Sequence, residues 1–344
     1  MLDSDIKKYH AAEVSKLATN GGRCGTTLIV SGVVNNVWPH VPKAERTAGA
    51  FLYRKIFTAA DDDNDGTLMS AQEFIDRPTL GGDWIVAFVG TATDTQGDIT
   101  GAMTGTDTER KYGAAYIKNP LTAGNSTITV TVEHTKFASG AEAIFQAGDT
   151  IQLKDKLTPD AVAGNQEDHV ISTIDSVVDL DVTFTVVGTF ANSYAVDGNS
   201  RCVSVIDYGD TACSTENYSV TAAGDYAFDS GSYPVITDNI GTVEDHLTGE
   251  WIDAANYTLT GSSGIAYGSG TFGADFSPTN TAKGKKYLTI EAAAHSGTPQ
   301  AGDIFELDIH EAKYATWFRR EVPEDCPSLA NNKVTTVTVG ESDQ

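Results

Sequence analysis

Long apolar runs are missing from this 344-residue chain. No stretch approaches the roughly 18 apolar residues of a membrane span. The opening Met1-Leu2-Asp3-Ser4-Asp5-Ile6-Lys7-Lys8 lacks the apolar core of a signal peptide. The expectation is a protein made in the cytosol, with no membrane span. Cysteine is scarce as well: Cys24, Cys202, Cys213 and Cys326 stand far apart with no C-x-x-C, which argues against a zinc site and a disulfide framework. Cys202 and Cys213 could meet across a hairpin, but free buried thiols are expected of a protein assembled in a reducing compartment. Basic residues are few, 23 against 47 acidic, for a formal charge of −24. Phosphate-backbone affinity through counterion release would need a strong local exception to that field. Lys7-Lys8, Lys283-Lys285-Lys286 and Arg319-Arg320 are too short to supply it and read as solvated surface. No sequence-specific nucleic-acid binding is expected, although an acidic wall would suit DNA that must slide past without sticking.

What is present is the vocabulary of strands. Apolar residues make up 40%, with 33 glycines and many Thr and Val, and the length suggests two or three domains. Only residues 3–18 space Ile6, Tyr9, Val14 and Leu17 in a near-helical manner before the stop Asn20-Gly21-Gly22, which predicts a short amphipathic helix or packing arm. From Thr26 onward the signals are strands: residues 27–30, 53–57 and 84–89, each bounded by Gly, Pro, Asn or Asp. A second unit begins near Asn119-Pro120. Period-two runs at 127–132, 150–153, 169–174, 182–186 and 202–206 predict a small barrel or sandwich there. A third, Gly/Ser/Thr/Asp-rich stretch covers about 209–310, with residues 257–260 and 287–290 its firmest strands. Its Ala301-Gly302-Asp303 repeats Ala147-Gly148-Asp149, which fits either a duplicated unit or convergent turn chemistry. The chain closes with Trp317 to Pro323, a turn at Asn331-Asn332 and a strand at 334–339 that needs a partner, the first β unit being a candidate.

The sharpest motif is Asp61-Asp62-Asp63-Asn64-Asp65-Gly66-Thr67-Leu68. Asp61, Asp63 and Asp65 stand where a calcium loop places oxygen ligands, and Gly66 stands at its sharp turn. The twelfth position is Gln72, however, and Glu73 comes one residue late. The flanks read as strands where an EF-hand needs helices, so an acidic hairpin turn is favoured and calcium is expected to be dispensable. No catalytic constellation appears. The seven histidines are scattered without H-E-x-x-H, and Gly261-Ser262-Ser263-Gly264 lacks the spacing of a nucleophile elbow. Glu167-Asp168-His169 would point to opposite faces of a strand. Trp38, Trp84, Trp251 and Trp317 read as core or subunit contacts, with a sugar-binding platform as the alternative. No enzyme activity and no cofactor are expected.

Trp38-Pro39-His40-Val41-Pro42-Lys43-Ala44-Glu45-Arg46-Thr47-Ala48-Gly49, running into Tyr53-Arg54-Lys55-Ile56-Phe57, resembles a segment of structural, tail-associated proteins of tailed phages and Mu-like prophages. The strand at 68–76, Asp94-Thr95-Gln96-Gly97-Asp98-Ile99-Thr100, Lys111-Tyr112-Gly113 and the ending from Trp317 to Glu341 are similar to the same family, so the likeness covers nearly the whole chain. Residues 124–206 resemble a small β-barrel common in virion proteins. The resemblance implies an all-β virion component and carries over no catalytic residue. It also implies a β-sandwich base domain, built from residues 23–118 and 311–344, into which modules at 119–208 and 209–310 are inserted, with residues 1–22 as the arm. Beads on a string is the alternative.

Within that class the leading expectation is a tail tube subunit that self-assembles into stacked rings, since sheet edges want partners and symmetric assembly supplies them. Its partners would be further copies and other phage structural proteins, and its location the virion. A capsid decoration, neck or baseplate protein is the alternative inside the class, and a receptor- or glycan-binding module the alternative outside it. A polysaccharide hydrolase lacks a convincing acid/base pair.

Overall fold

The computed structural model describes residues 1–159, 161–329 and 333–342; the turn expected at Asn331-Asn332 lies outside them. The chain is all-β. It opens with β1 (Ile6–Glu13), β2 (Gly21–Leu28), a short helix α1 (Lys43–Ala48), β3 (Ala50–Ala60), β4 (Leu68–Ile75) and β5 (Trp84–Gly90). Next come β6 (Ala114–Ile117), β7 (Thr127–Thr131), β8 (Thr150–Lys154), β9 (Gln166–Val178), β10 (Asp181–Val186), β11 (Arg201–Ser204) and β12 (Ile206–Thr211). A third stretch holds β13 (Ser214–Thr221), β14 (Ala227–Phe228), β15 (Ile236–Thr237), β16 (Asp245–Trp251), β17 (Asn256–Gly261) and β18 (Ala266–Thr271). It continues through β19 (Thr279–Asn280), β20 (Lys285–Lys286), β21 (Leu288–Thr289), β22 (His295–Ser296) and β23 (Ile304–His310), before β24 (Lys313–Val322) and β25 (Thr336–Ser342).

Two antiparallel sheets make the base, ordered β2-β1-β3-β24-β5 and β12-β4-β25. Ile56 of β3, Ile85 of β5 and Phe318 of β24 meet Phe74 of β4 and Ile206 of β12 in one buried cluster, which is the interior of a sandwich. β3 and β24 pair over their full length, from Ala50↔Val322 to Ala59↔Lys313. Strands covered on both faces read as near-continuous buried runs, as residues 52–60 do. The strand at the chain's end, β25, pairs with β4 through Thr336↔Ile75.

Residues 3–18 are not the helix or arm that their spacing predicts. Residues 6–13 form β1, bonded to β3 through Ile6↔Ala60 to His10↔Ile56 and to β2 on its other side. Tyr9, His10 and Ala11 are buried there. Near-helical spacing over a stretch of about 12–15 residues is marginal for a helix on its own, whereas β3 has an open edge opposite β24, and that tertiary demand decides the conformation. The segment is therefore core. The α-helix lies instead at residues 43–48, entered from Pro42 and stopped by Gly49 at φ 76°.

The second unit is a closed barrel in the order β10-β7-β6-β11-β8-β9. It recruits β6, which precedes Asn119-Pro120, and it ends at Ser204: the run at 202–206 divides, β11 staying in the barrel and β12 crossing to pair with β4. Alternating inward residues such as Ile128, Val130, Ile151, Leu153, Val182 and Phe184 fill it. The third unit is a five-stranded sheet, β13-β23-β16-β17-β18, backed by two-stranded ribbons over an aromatic core. The two Ala-Gly-Asp turns share their geometry. Gly148 and Gly302 have φ of 92° and 91°, and Asp149 and Asp303 accept the N–H of Gln146 (2.6 Å) and Gln300 (2.8 Å). The sheets around them differ, one a closed barrel and one open, so turn chemistry accounts for the match.

Candidate functional site

The Asp-rich segment after β3 is not a hairpin turn. β3 and β4 belong to different sheets, so residues 61–67 carry the chain across the base. Asp62 shapes the loop, accepting the N–H of Asn64 (3.2 Å) and Gly66 (3.0 Å), while Asp65 takes φ 57°. Three expected ligand carboxylates turn to different protein partners. Asp61 accepts the Tyr9 hydroxyl and lies 3.5 Å from Lys7 Nζ. Asp63 pairs with Lys285 of the third unit at 2.7 Å, and Asp65 accepts the N–H of Asn239 at 2.8 Å. Asn239 in turn donates to the Gly66 carbonyl at 2.9 Å. Among the described residues no group of three or more His, Cys, Asp or Glu is disposed to hold a metal ion. The loop clasps the third unit to the base.

Charge is also buried where the barrel meets the base. Arg319, on β24, reaches Asp107 at 2.6 Å and donates both terminal nitrogens to Glu142 of the barrel. Asp107 also accepts the Tyr53 hydroxyl at 2.7 Å and pairs with Lys111. Burial pushes the Asp107 carboxyl up, but Arg319 and Lys111 outweigh it and hold it below the usual range. On the other side Asp76, just past β4, accepts Arg201 Nη2 on both carboxylate oxygens at 3.0 Å and pairs with Lys154 at 2.5 Å, both from barrel strands. Lys136 of the barrel meets Glu321 of β24 at 2.5 Å. The expectation that Arg319-Arg320 is solvated surface is thus overturned: Arg319 has no exposed area and Arg320 is held by Asp83 at 2.5 Å, because β24 is an inner strand.

The other candidates are structural in their contacts. Glu167 and His169 share one face of β9, 2.9 Å apart, and Glu167 ties down the N–H groups of Ala191 (2.7 Å) and Asn192 (3.1 Å). Asp168 faces the other way toward Gln152. Trp251 and Trp317 are buried; Trp38 and Trp84 are half-buried, the Trp84 ring lying tilted against His134 with centroids 4.0 Å apart. Cys202 lies in the barrel core and Cys213 in a cluster of the base, both free, with burial pushing the Cys213 thiol up to about 12. A groove of about 160 Å³ beside Cys24, Lys283 and Lys313 is smaller than the roughly 300–1,000 Å³ of small-molecule sites. Among the described residues no helix is long and apolar enough to cross a membrane.

Sheet edges remain. β2, β13 and β18 are interrupted by bulges, which deter edge-to-edge pairing. β25 differs. Residues 336–339 run without a break against residues 72–75, no residue of the strand is buried, and its outer side has no strand partner among the described residues. The far side of β9 past Ile171 is also open, since β8 covers only residues 166–170, but β9 is bulged there, with register shifts against β10 between Thr183 and Phe184 and between Thr185 and Val186.

No family model and no curated protein matches the chain. Among solved structures, the phage phi92 endosialidase matches with 11% identity over 83% of this chain and 48% of that one, at a TM-score of 0.18. The chain thus spans about half the length of that protein. The infectious bursal disease virus VP2 subviral particle matches with 13% identity over 81% of each chain, at a TM-score of 0.11. At such TM-scores neither likeness bears on fold or function.

The inter-unit clasps escaped sequence reasoning because their partners lie far apart in the chain, as Arg319 and Glu142 do. A faint signal existed. Arg319, Lys55 and Lys154 each sit inside apolar strand runs, and a charge in a run buried on both faces must find a counter-charge.

Proposed function

We propose that the chain is a structural protein of a tailed-phage particle, and within it a tail tube subunit that self-assembles into stacked rings. The observation that carries this reading is the open edge of β25, whose residues 336–339 run unbroken up to the register shift between Val339 and Glu341 and include no lysine or proline. An edge of that kind is a template for another chain. Three further points support it. The sequence resembles phage structural proteins along most of its length. The charged side chains at the unit boundaries bind the units to one another, as a load-carrying subunit requires. The net charge of −24 repels nucleic acid, which suits a conduit for DNA. Copies of the chain would be its main partners, and the virion its location. Electron microscopy of the purified protein tests the reading: rings or tubes are expected, whereas a protein that stays monomeric at high concentration contradicts it.

A further inference from the structure

After β2 the chain crosses the base as a loop over residues 28–37. One side of this loop is spent on its own fold. Ile29, Val37 and Trp38 pack against the sandwich core. Ile29 donates its N–H to the Lys8 carbonyl at 2.7 Å, Asn36 its side-chain amide to the Val30 carbonyl at 2.8 Å, and Arg54 its Nε to the Val37 carbonyl at 3.2 Å. Gly32 and Asn35 take φ of 80° and 57° and let the chain turn. The other side faces water: Leu28, Val30, Val33 and Val34 are 45%, 53%, 55% and 77% exposed, with Ser31, Gly32 and Asn35 exposed among them. A loop already anchored by its inner residues has no internal use for such side chains, and contiguous apolar patches of a few hundred Å², roughly, mark association sites.

The charge pattern indicates the occupant. One residue in five is charged overall, yet none is Asp, Glu, Lys or Arg from Cys24 to Pro42. Two copies at −24 each repel, and a contact that buried carboxylates would add their desolvation to that repulsion. The uncharged loop is where copies can meet without burying a carboxylate and with the least local repulsion. An apolar loop that entered a membrane would draw on a flanking cluster of basic residues to meet anionic lipid, which this segment lacks. We infer that the apolar side of residues 28–37 is the surface by which one copy of this chain docks on another. The inference rests on the reading of the chain as an assembling subunit, and the loop would form the apolar centre of a larger contact that includes the open edges.

The test uses the full chain, wild type and Val33→Asp/Val34→Asp, by sedimentation across a concentration series, with thermal melting as the check on folding. The variant is expected to melt with the wild type and to need about tenfold or more protein to assemble. Should the aspartates lower the melting temperature, Val33→Ser/Val34→Ser replaces them. A folded variant that assembles like the wild type overturns the inference and leaves the proposed function standing. A wild type that never assembles contradicts the function itself. Flotation of the wild type, but not the variant, with phosphatidylglycerol vesicles would make the loop a membrane contact and also overturn the inference.

Discussion

Glu133, at the junction of barrel and base, is held by the Thr79 hydroxyl at 3.2 Å, and burial pushes its carboxyl up to about 8. A carboxyl raised above its unfolded value adds stability that is fully present below about pH 4.5 and lost as pH rises through about 8. Glu133→Gln should flatten that decline and make the protein more stable than the wild type above pH 8, by roughly 1–3 kcal/mol, measured by urea unfolding at pH 5 and 9. His295 works in the other direction. It sits in the third unit among Tyr226, Phe228, Trp251, Tyr257 and Phe305, with ring centroids 5.1–6.0 Å away and no carboxylate beside it, and burial lowers it to about 4. Its contribution is present above pH 6.5 and lost as pH falls from there through about 4, since only the unfolded imidazole protonates freely. His295→Phe should remove roughly 2–3 kcal/mol of acid sensitivity between pH 7 and 4. At the Asp-rich loop, where Lys285 and Asn239 already engage Asp63 and Asp65, a chelator is expected to leave the melting temperature unchanged. A drop of more than a few degrees would reveal a bound ion that stabilises the fold.

Among the elements, β1 decides how the base holds together. Deleting residues 1–20 strips β3 of a partner and opens the cluster around Tyr9 and Phe57, so the truncated chain should lose the cooperative unfolding of the base in circular dichroism. A fully folded truncate would mean the segment is an arm after all. The barrel–base clasp is equally testable: Asp76→Ala leaves Lys154 and Arg201 buried without their carboxylate, which costs about 3–5 kcal/mol in denaturant unfolding. Period-two strands such as residues 127–131 and 181–186 were legible in the sequence because local alternation survives in a half-buried sheet. Which sheet a strand joins was not legible. β3 and β4 are separated only by the Asp-rich loop yet lie in different sheets, and β11 and β12 divide at Val205, because sheet membership depends on long-range pairing. The acidic loop was legible as a polar connection, but neither its crossing between sheets in place of a hairpin nor its role as a clasp was, since Lys285 and Asn239 lie far along the chain.

For the whole molecule, buried ion pairs tie the barrel to the base, and the Asn239–Gly66 hydrogen bond with the exposed Asp63–Lys285 pair ties on the third unit, while open edges on β25 and β9 and a loop without Asp, Glu, Lys or Arg face outward. On the proposed reading, copies of charge −24 must approach one another, so raising ionic strength should promote assembly. Sedimentation at low and high salt checks this, and assembly that weakens with salt would point to ionic contacts in its place. The most direct measurement is negative-stain electron microscopy of the concentrated, purified chain at high salt. Stacked rings or tubes of uniform diameter are the result the account predicts, and a field of separate monomers would contradict it.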